Sequence, residues 1–176
     1  MLPDPLHPAI VHFPIVLTIL LPVAVLLALW RIRGGTAPRS AWSVAVLVAA
    51  ALSASAWAAV QTGEADEEAV EEVVAEAPLE RHEEAAERFL LLTCGMLVIA
   101  AAGLLRGRAG AAARVIAAVA ALGLVVAGVQ VGHSGGELVY RYGAASAHVT
   151  DAGGDGRLSA AGAEDRSRTG REREDD

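Results

Sequence analysis

Residues 9–30 read AIVHFPIVLTILLPVAVLLALW, an apolar run interrupted only by His12, Pro14 and Pro22. A bilayer core about 30 Å thick is crossed by roughly 20 apolar residues in a helix, so this run is long enough to span. Three further runs follow. Ala41–Gln61 is rich in alanine, Phe89–Leu105 has only 17 residues, and Val115–Val131, of the same length, carries no charge. No alternation of polar and apolar residues suggests strands or a barrel. The reading is an all-α, four-helix transmembrane bundle, with spans over about 9–30, 41–61, 86–105 and 114–133. It forms one membrane domain, residues 1–148, followed by a polar tail, 149–176.

The first run is not read as a cleaved leader. Asp4 is the only charge ahead of it, the run is too long for the apolar part of a signal peptide, and no small-x-small site precedes Arg31. The remaining composition agrees. Of 176 residues, 54 % are hydrophobic, 20 % are charged, and the net charge is −7. That apolar content excludes a disordered chain, and that charge repels nucleic acid. Every basic residue is an arginine, and a single cysteine excludes an internal disulfide framework.

Arginine placement predicts the orientation. Segment 31–40 holds Arg31, Arg33 and Arg39, segment 106–114 holds Arg106, Arg108 and Arg114, and neither contains an acid. Positively charged loops stay cytoplasmic. With four spans both loops fall on one side, so both termini and segment 62–88 are expected outside, as for a multi-pass protein of a bacterial inner (plasma) membrane. Helix contacts are expected from small residues. Gly103-x3-Gly107, Gly128-x3-Gly132, Ala117 and Ala121 have suitable spacing, and Ser53 and Ser55 are candidates for hydrogen bonds across the bundle.

The outer segment is acidic. Residues 64–87 contain eleven carboxylates, opposed nearby only by Arg81 and Arg88. Ala65, Ala69, Val70, Val73, Val74 and Ala77 recur at helical spacing. This predicts an extra amphipathic acidic helix on the outer face, ended by Pro78, which can in turn start the next helix, running through His82 into the third span. Glu64, Glu68, Glu72 and Glu76 place like charges four apart, which disfavours the helix slightly. Such a face is a solvated surface, a cation site or a docking face for a basic partner. No calcium-loop spacing is present.

His7, His12, His82 and His133 all fall at the outer boundary by topology. Two imidazoles on facing helices can ligate a haem iron axially. Imidazoles joined by Glu64 or Glu68 can instead bind a transition metal, and histidine also exchanges protons near neutral pH. His12 and His133 form the first candidate axial pair for a non-covalent haem b, with His82 as alternate. Candidate metal ligands are His7, His12, His82, His133, Glu64 and Glu68. No covalent haem motif, His-Glu-x-x-His, phosphate loop or catalytic triad occurs. Cys94, inside the third run, reads as a buried packing residue. Gly135-Gly136 reads as a helix end, Tyr140 and Tyr142 as interfacial anchors, and the chain from Val149 as disordered.

The segment His7-Pro8-Ala9-Ile10-Val11-His12-Phe13-Pro14-Ile15 resembles the opening signature of a bacterial membrane-protein family known only as domain of unknown function 2231. Thr62-Gly63-Glu64, His82-Glu83, and His133 with Gly135-Gly136-Glu137-Leu138-Val139-Tyr140-Arg141-Tyr142-Gly143 resemble it too. The resemblance covers about residues 5–145. It implies a multi-pass membrane protein without an established activity, and relatives joined to redox-type domains, which favours the haem reading. Two functions are therefore expected of this chain. One is a b-haem or metal-binding redox module at the outer face. The other is a non-catalytic scaffold or partner subunit that docks another membrane protein through its acidic segment.

Overall fold

The computed structural model describes residues 6–146, except the side chains of Glu68 and Ala69. The polar tail from 149 and His148 lie outside the described residues. The order is α1 (His7–Ile10), α2 (His12–Arg33), α3 (Pro38–Glu71), α4 (Glu76–Ala102) and α5 (Gly107–Tyr140), with no strand among the described residues. All four long helices are long and apolar enough to cross a membrane. The chain is a multi-pass membrane protein.

The helices run up-down-up-down around a square. Each of α2, α3, α4 and α5 packs on its two neighbours, and α2 faces α4, and α3 faces α5, only across the diagonals. Two ends result. At one lie α1, the start of α2, the end of α3, the start of α4 and the end of α5. At the other lie the turns 34–37 and 103–106.

The α1–α2 junction follows from proline chemistry. Pro14 has no N–H to offer the carbonyl of Ile10, so the helical register breaks at Val11. The turn before the break then packs on α3 as well as on α2.

The core is thin because it is built from small residues. Ala45, Ala49 and Ala56 of α3, Ala100 of α4 and Ala117 and Ala121 of α5 belong to one core, together with Leu21, Val25, Trp42, Leu52 and Met96. Small side chains let helix backbones approach, the main attraction available inside lipid. Large apolar residues face outward instead: Ile19, Val23, Leu91, Val98, Val119 and Val126 are all well exposed. Those surfaces meet acyl chains.

Several expectations meet particular outcomes. Ser53 does cross the bundle, donating to the Thr93 carbonyl at 3.0 Å, whereas Ser55 bonds only to Leu52 of its own helix. Ala117 and Ala121 are fully buried. At Gly128 a Cβ would sit 3.2 Å from Thr18 Cγ2 and 3.5 Å from Phe89, so this glycine sets close packing, while Gly132 faces open space. Gly103 and Gly107 are not a helix-packing pair. Gly103 ends α4, and Gly107 opens α5 with φ +71°. Cys94 is exposed on the lipid side rather than buried.

The acidic segment is helical but is no separate helix. Residues 64–71 continue α3 beyond its apolar run, a turn occupies 72–75, and the rest opens α4. α3 stops at Glu71, before Pro78 is reached, and Pro78 stands, as expected, in the first turn of the next helix, α4, where its missing N–H has no partner to lose. α5 also passes straight through Gly135-Gly136 to Tyr140. Val74 of the turn packs with Leu79 and Leu138, joined by Val70, Tyr142 and Ala144, in a small apolar cap over this end.

Candidate functional site

The histidines are placed by backbone features rather than by one sequence motif. The α1 turn leans on α3 and sets His7 against its upper part. His7 Nδ1 lies 2.9 Å from the Ala59 carbonyl and 3.3 Å from Thr62 Oγ1. A carbonyl only accepts, so Nδ1 carries the proton. The Thr62 hydroxyl spends its own proton on the carbonyls of Ala58 and Ala59, consistent with its accepting from His7.

His82 is held in the same way from the opposite side. Its Nδ1 lies 2.9 Å from Ser134 Oγ of α5. Ser134 donates its proton to the Val131 carbonyl at 2.9 Å. The serine oxygen therefore accepts from His82, and Nδ1 again carries the proton. In both rings Nε2 is left with a bare lone pair, the form in which imidazole binds metals; a hydrogen bond on the other nitrogen fixes ring and tautomer alike.

Each ring also rests on a glycine. A Cβ at Gly63 would come within 3.2 Å of His7 Cε1, and one at Gly135 within 3.1 Å of His82 Cε1. The glycines thus open room for the rings. His82 stands about two turns above Phe89, where the apolar run of α4 begins. Burial, and then the charge of His7, lower its pKa below the usual 6.5. The neutral ring is favoured, and the two imidazoles are near enough to sense each other.

His12 and His133 are not arranged this way. His12 is exposed, and its Nδ1 donates to the Pro8 carbonyl one turn back at 2.7 Å. His133 is exposed and makes no hydrogen bond among the described residues. Of the carboxylates, Glu64 is exposed and accepts from Gln61 Nε2 at 2.7 Å, and the side chain of Glu68 lies outside the description. Among the described residues, no three of His, Cys, Asp and Glu gather into a metal-holding group. A cavity of about 180 Å³ at this end is lined by Pro78, Arg81, Ser134, Glu137, Leu138 and Tyr142, and by none of the histidines. It is smaller than the several hundred Å³ that a drug-sized ligand occupies, and a haem is larger still.

Carboxylates crowd the same end. The Glu83 pKa is raised, first by desolvation and then by the charges of Glu67, Glu71 and Glu87, with a hydrogen bond to Glu67. Carboxylates from the end of α3 and the start of α4 thus stand close enough for their charges to disfavour ionisation of Glu83.

The residues missed in sequence are the second nitrogen's partners, Ala59 and Ser134, and the two glycine seats. A signal for them exists. A hydroxyl residue followed by glycine occurs as Thr62-Gly63 and again as Ser134-Gly135, at the ends of two diagonally opposed helices.

These features define a class: a polytopic helical bundle with a pair of oriented imidazoles at one end. The chain belongs to the family described as "Predicted membrane protein (DUF2231)", which matches residues 3–148. No curated protein and no solved structure matches it.

Proposed function

We propose that the chain is a membrane-embedded metal-binding module whose outer end presents His7 and His82 to a transition-metal ion. The observation that carries this reading is the shared state of the two rings: Nδ1–H tied to an acceptor on α3 or α5, and Nε2 free. Imidazole suits Zn, Cu, Fe and Ni, and where the ion is Cu or Fe it supplies one-electron chemistry. The donor set fits an ion whose remaining positions are filled by water or by a partner. It supports a bare ion over haem b, because neither His12 nor His133, the first axial pair, has the oriented ring that His7 and His82 share. His12 and His133, the first axial pair read from sequence, rank behind His7 and His82.

The arginine end is proposed to face the cytoplasm, since Arg31, Arg33, Arg106 and Arg108 cluster there and acids do not. The imidazoles then face the outside of a bacterial inner membrane. A second reading, a docking subunit, draws on the exposed carboxylates Glu64, Glu71, Glu72, Glu80 and Glu87.

The test is calorimetric titration of the detergent-purified full chain with Cu(II), Ni(II) or Zn(II). One ion per chain is expected to bind. Affinity should fall at least about tenfold in His7→Ala and in His82→Ala, the scale on which supporting contacts of metal sites act, and stay unchanged in His12→Ala and His133→Ala. Equal binding in all four variants would overturn the assignment. A Soret band in chain expressed with haem supply, lost in His12→Ala or His133→Ala, would restore the haem reading.

A further inference from the structure

The arginine end carries a second, independent feature. An open cavity of about 220 Å³ lies where α2 meets the following turn, lined by Trp30, Arg31, Gly34 and Thr36. Its side chains bring hydrogen-bond donors and no carboxylate. The Arg31 guanidinium and the Thr36 hydroxyl have no partner among the described residues. The carbonyls at this helix end are already engaged: Trp30 by Gly34 N–H at 3.0 Å, Ile32 by Gly35 N–H at 3.1 Å and Arg31 by Thr36 N–H at 3.0 Å. No acid occurs in segments 31–40 or 106–114. Two of the other arginines here are committed, Arg39 to the Leu104 carbonyl and Arg114 to the Gly103 carbonyl. Arg31 is left without a partner among the described residues, beside a cavity with no acid in its lining.

A pocket of unpaired donors with no acid takes an anion, and guanidinium matches phosphate oxygens in two-pronged fashion. The surroundings separate a lipid from a free ion. Trp30 is 71 % exposed at the end of the apolar run, where indoles sit at headgroup level. Below it on the same helix face, Leu27, Leu26 and Val23 stand three, four and seven residues back, all exposed. That stripe offers an acyl chain a track leading away from the pocket.

We infer that the cavity formed by Trp30, Arg31, Gly34 and Thr36 is a binding site for the phosphodiester headgroup of an anionic phospholipid, with the acyl chain lying along α2. The arginine supplies charge, the threonine a further donor, and the tryptophan the wall on the lipid side. The site is unrelated to the histidine pair and stands or falls without it.

Native mass spectrometry of the full chain in detergent tests it, with phosphatidylglycerol and phosphatidylcholine offered at equal concentration. Phosphatidylglycerol should be retained preferentially, and Arg31→Gln should reduce its affinity about fivefold, the effect of one basic residue near an anionic surface. Arg31→Lys should keep most of the binding if only charge matters, and lose part of it if the two-pronged geometry matters; either result supports a site at this position. Arg33→Gln should leave binding unchanged. An equal loss in Arg33→Gln would replace the pocket with diffuse charge and overturn the proposal. Displacement of the lipid by millimolar inorganic phosphate would assign the pocket to free anions and overturn the lipid claim, as would equal retention of both lipids. Unaltered thermal unfolding of Arg31→Gln separates lost binding from lost fold.

Discussion

The two ends of this bundle are built on opposite plans. At the arginine end, glycines touch rigid matter. A Cβ at Gly110 would overlap the Leu105 carbonyl, and one at Gly103 would overlap the Trp42 indole. Trp42 is itself locked, fully buried and donating to the Ala100 carbonyl at 2.8 Å. Arg39 and Arg114 then tie down the carbonyls of the α4–α5 turn. At the histidine end, glycines touch the edges of imidazole rings, which can tilt. The outermost parts of α3 and α4 project past the apolar runs and carry carboxylates, and only a small apolar cap covers them. One end is a clamp, and the other is an adjustable cradle. The lesson is that a glycine's role depends on what stands opposite it.

This comparison can be broken by substitution. The largest effect is expected for Gly110→Ala, where the added methyl meets backbone that cannot move aside. Overpacking costs typically about 1–3 kcal/mol, and more against backbone. Thermal unfolding in detergent should show a marked loss or no folded protein. An unchanged midpoint would mean that the α4–α5 turn is soft and the clamp is no clamp. Gly103→Ala should come next, for the indole must shift from its hydrogen bond. Trp42→Phe isolates that bond and should cost about 1–2 kcal/mol, the usual loss for a buried hydrogen bond plus the cavity left behind. If it costs nothing, the tie between α3 and α4 at this end rests on alanine packing alone.

The cradle should answer differently. Gly135→Ala should cost less than about 1 kcal/mol of stability, because the neighbouring atom belongs to a ring that can turn. Yet it should weaken metal binding, since the ring's direction is what the seat fixes. Ser134→Ala should act in the same sense, releasing Nδ1 of His82 and lowering metal affinity about 10–100-fold with little change in unfolding. Metal affinity unaffected by both changes would strip the cradle of its proposed purpose. The smallest effect is expected for His133→Ala, an exposed ring with no partner, which should alter neither measurement.

The membrane bundle was legible because four long apolar runs admit few alternatives in length or composition. The segregation of arginine from acid marked the two ends in advance. What the runs hide is which face points inward. Alanine and leucine surround every helix, so no polar stripe distinguishes core from lipid. Cys94 was for that reason placed on the wrong side. The acidic stretch showed its helical period but not its attachment, since a stripe at spacings of three and four looks the same in a free helix and in the last turns of α3. Gly135-Gly136 looked like a stop because glycine is weak in helices, whereas here the missing Cβ makes room for His82. The pairing of His7 with His82 depended on the break that Pro14 causes one turn further along, a consequence of backbone geometry that ligand spacing alone does not display.

Between the two ends the axis of the bundle is filled. Leu21, Val25, Trp42, Leu52 and Met96 have essentially no exposed surface. The buried polar groups along the helices are the hydroxyls of Thr18, Ser53 and Thr93 and, toward the arginine end, the Arg114 guanidinium, each bonded to a carbonyl. Among the described residues no ionisable group bridges that stretch. The packing makes the middle of the bundle a hydrocarbon plug between two polar ends.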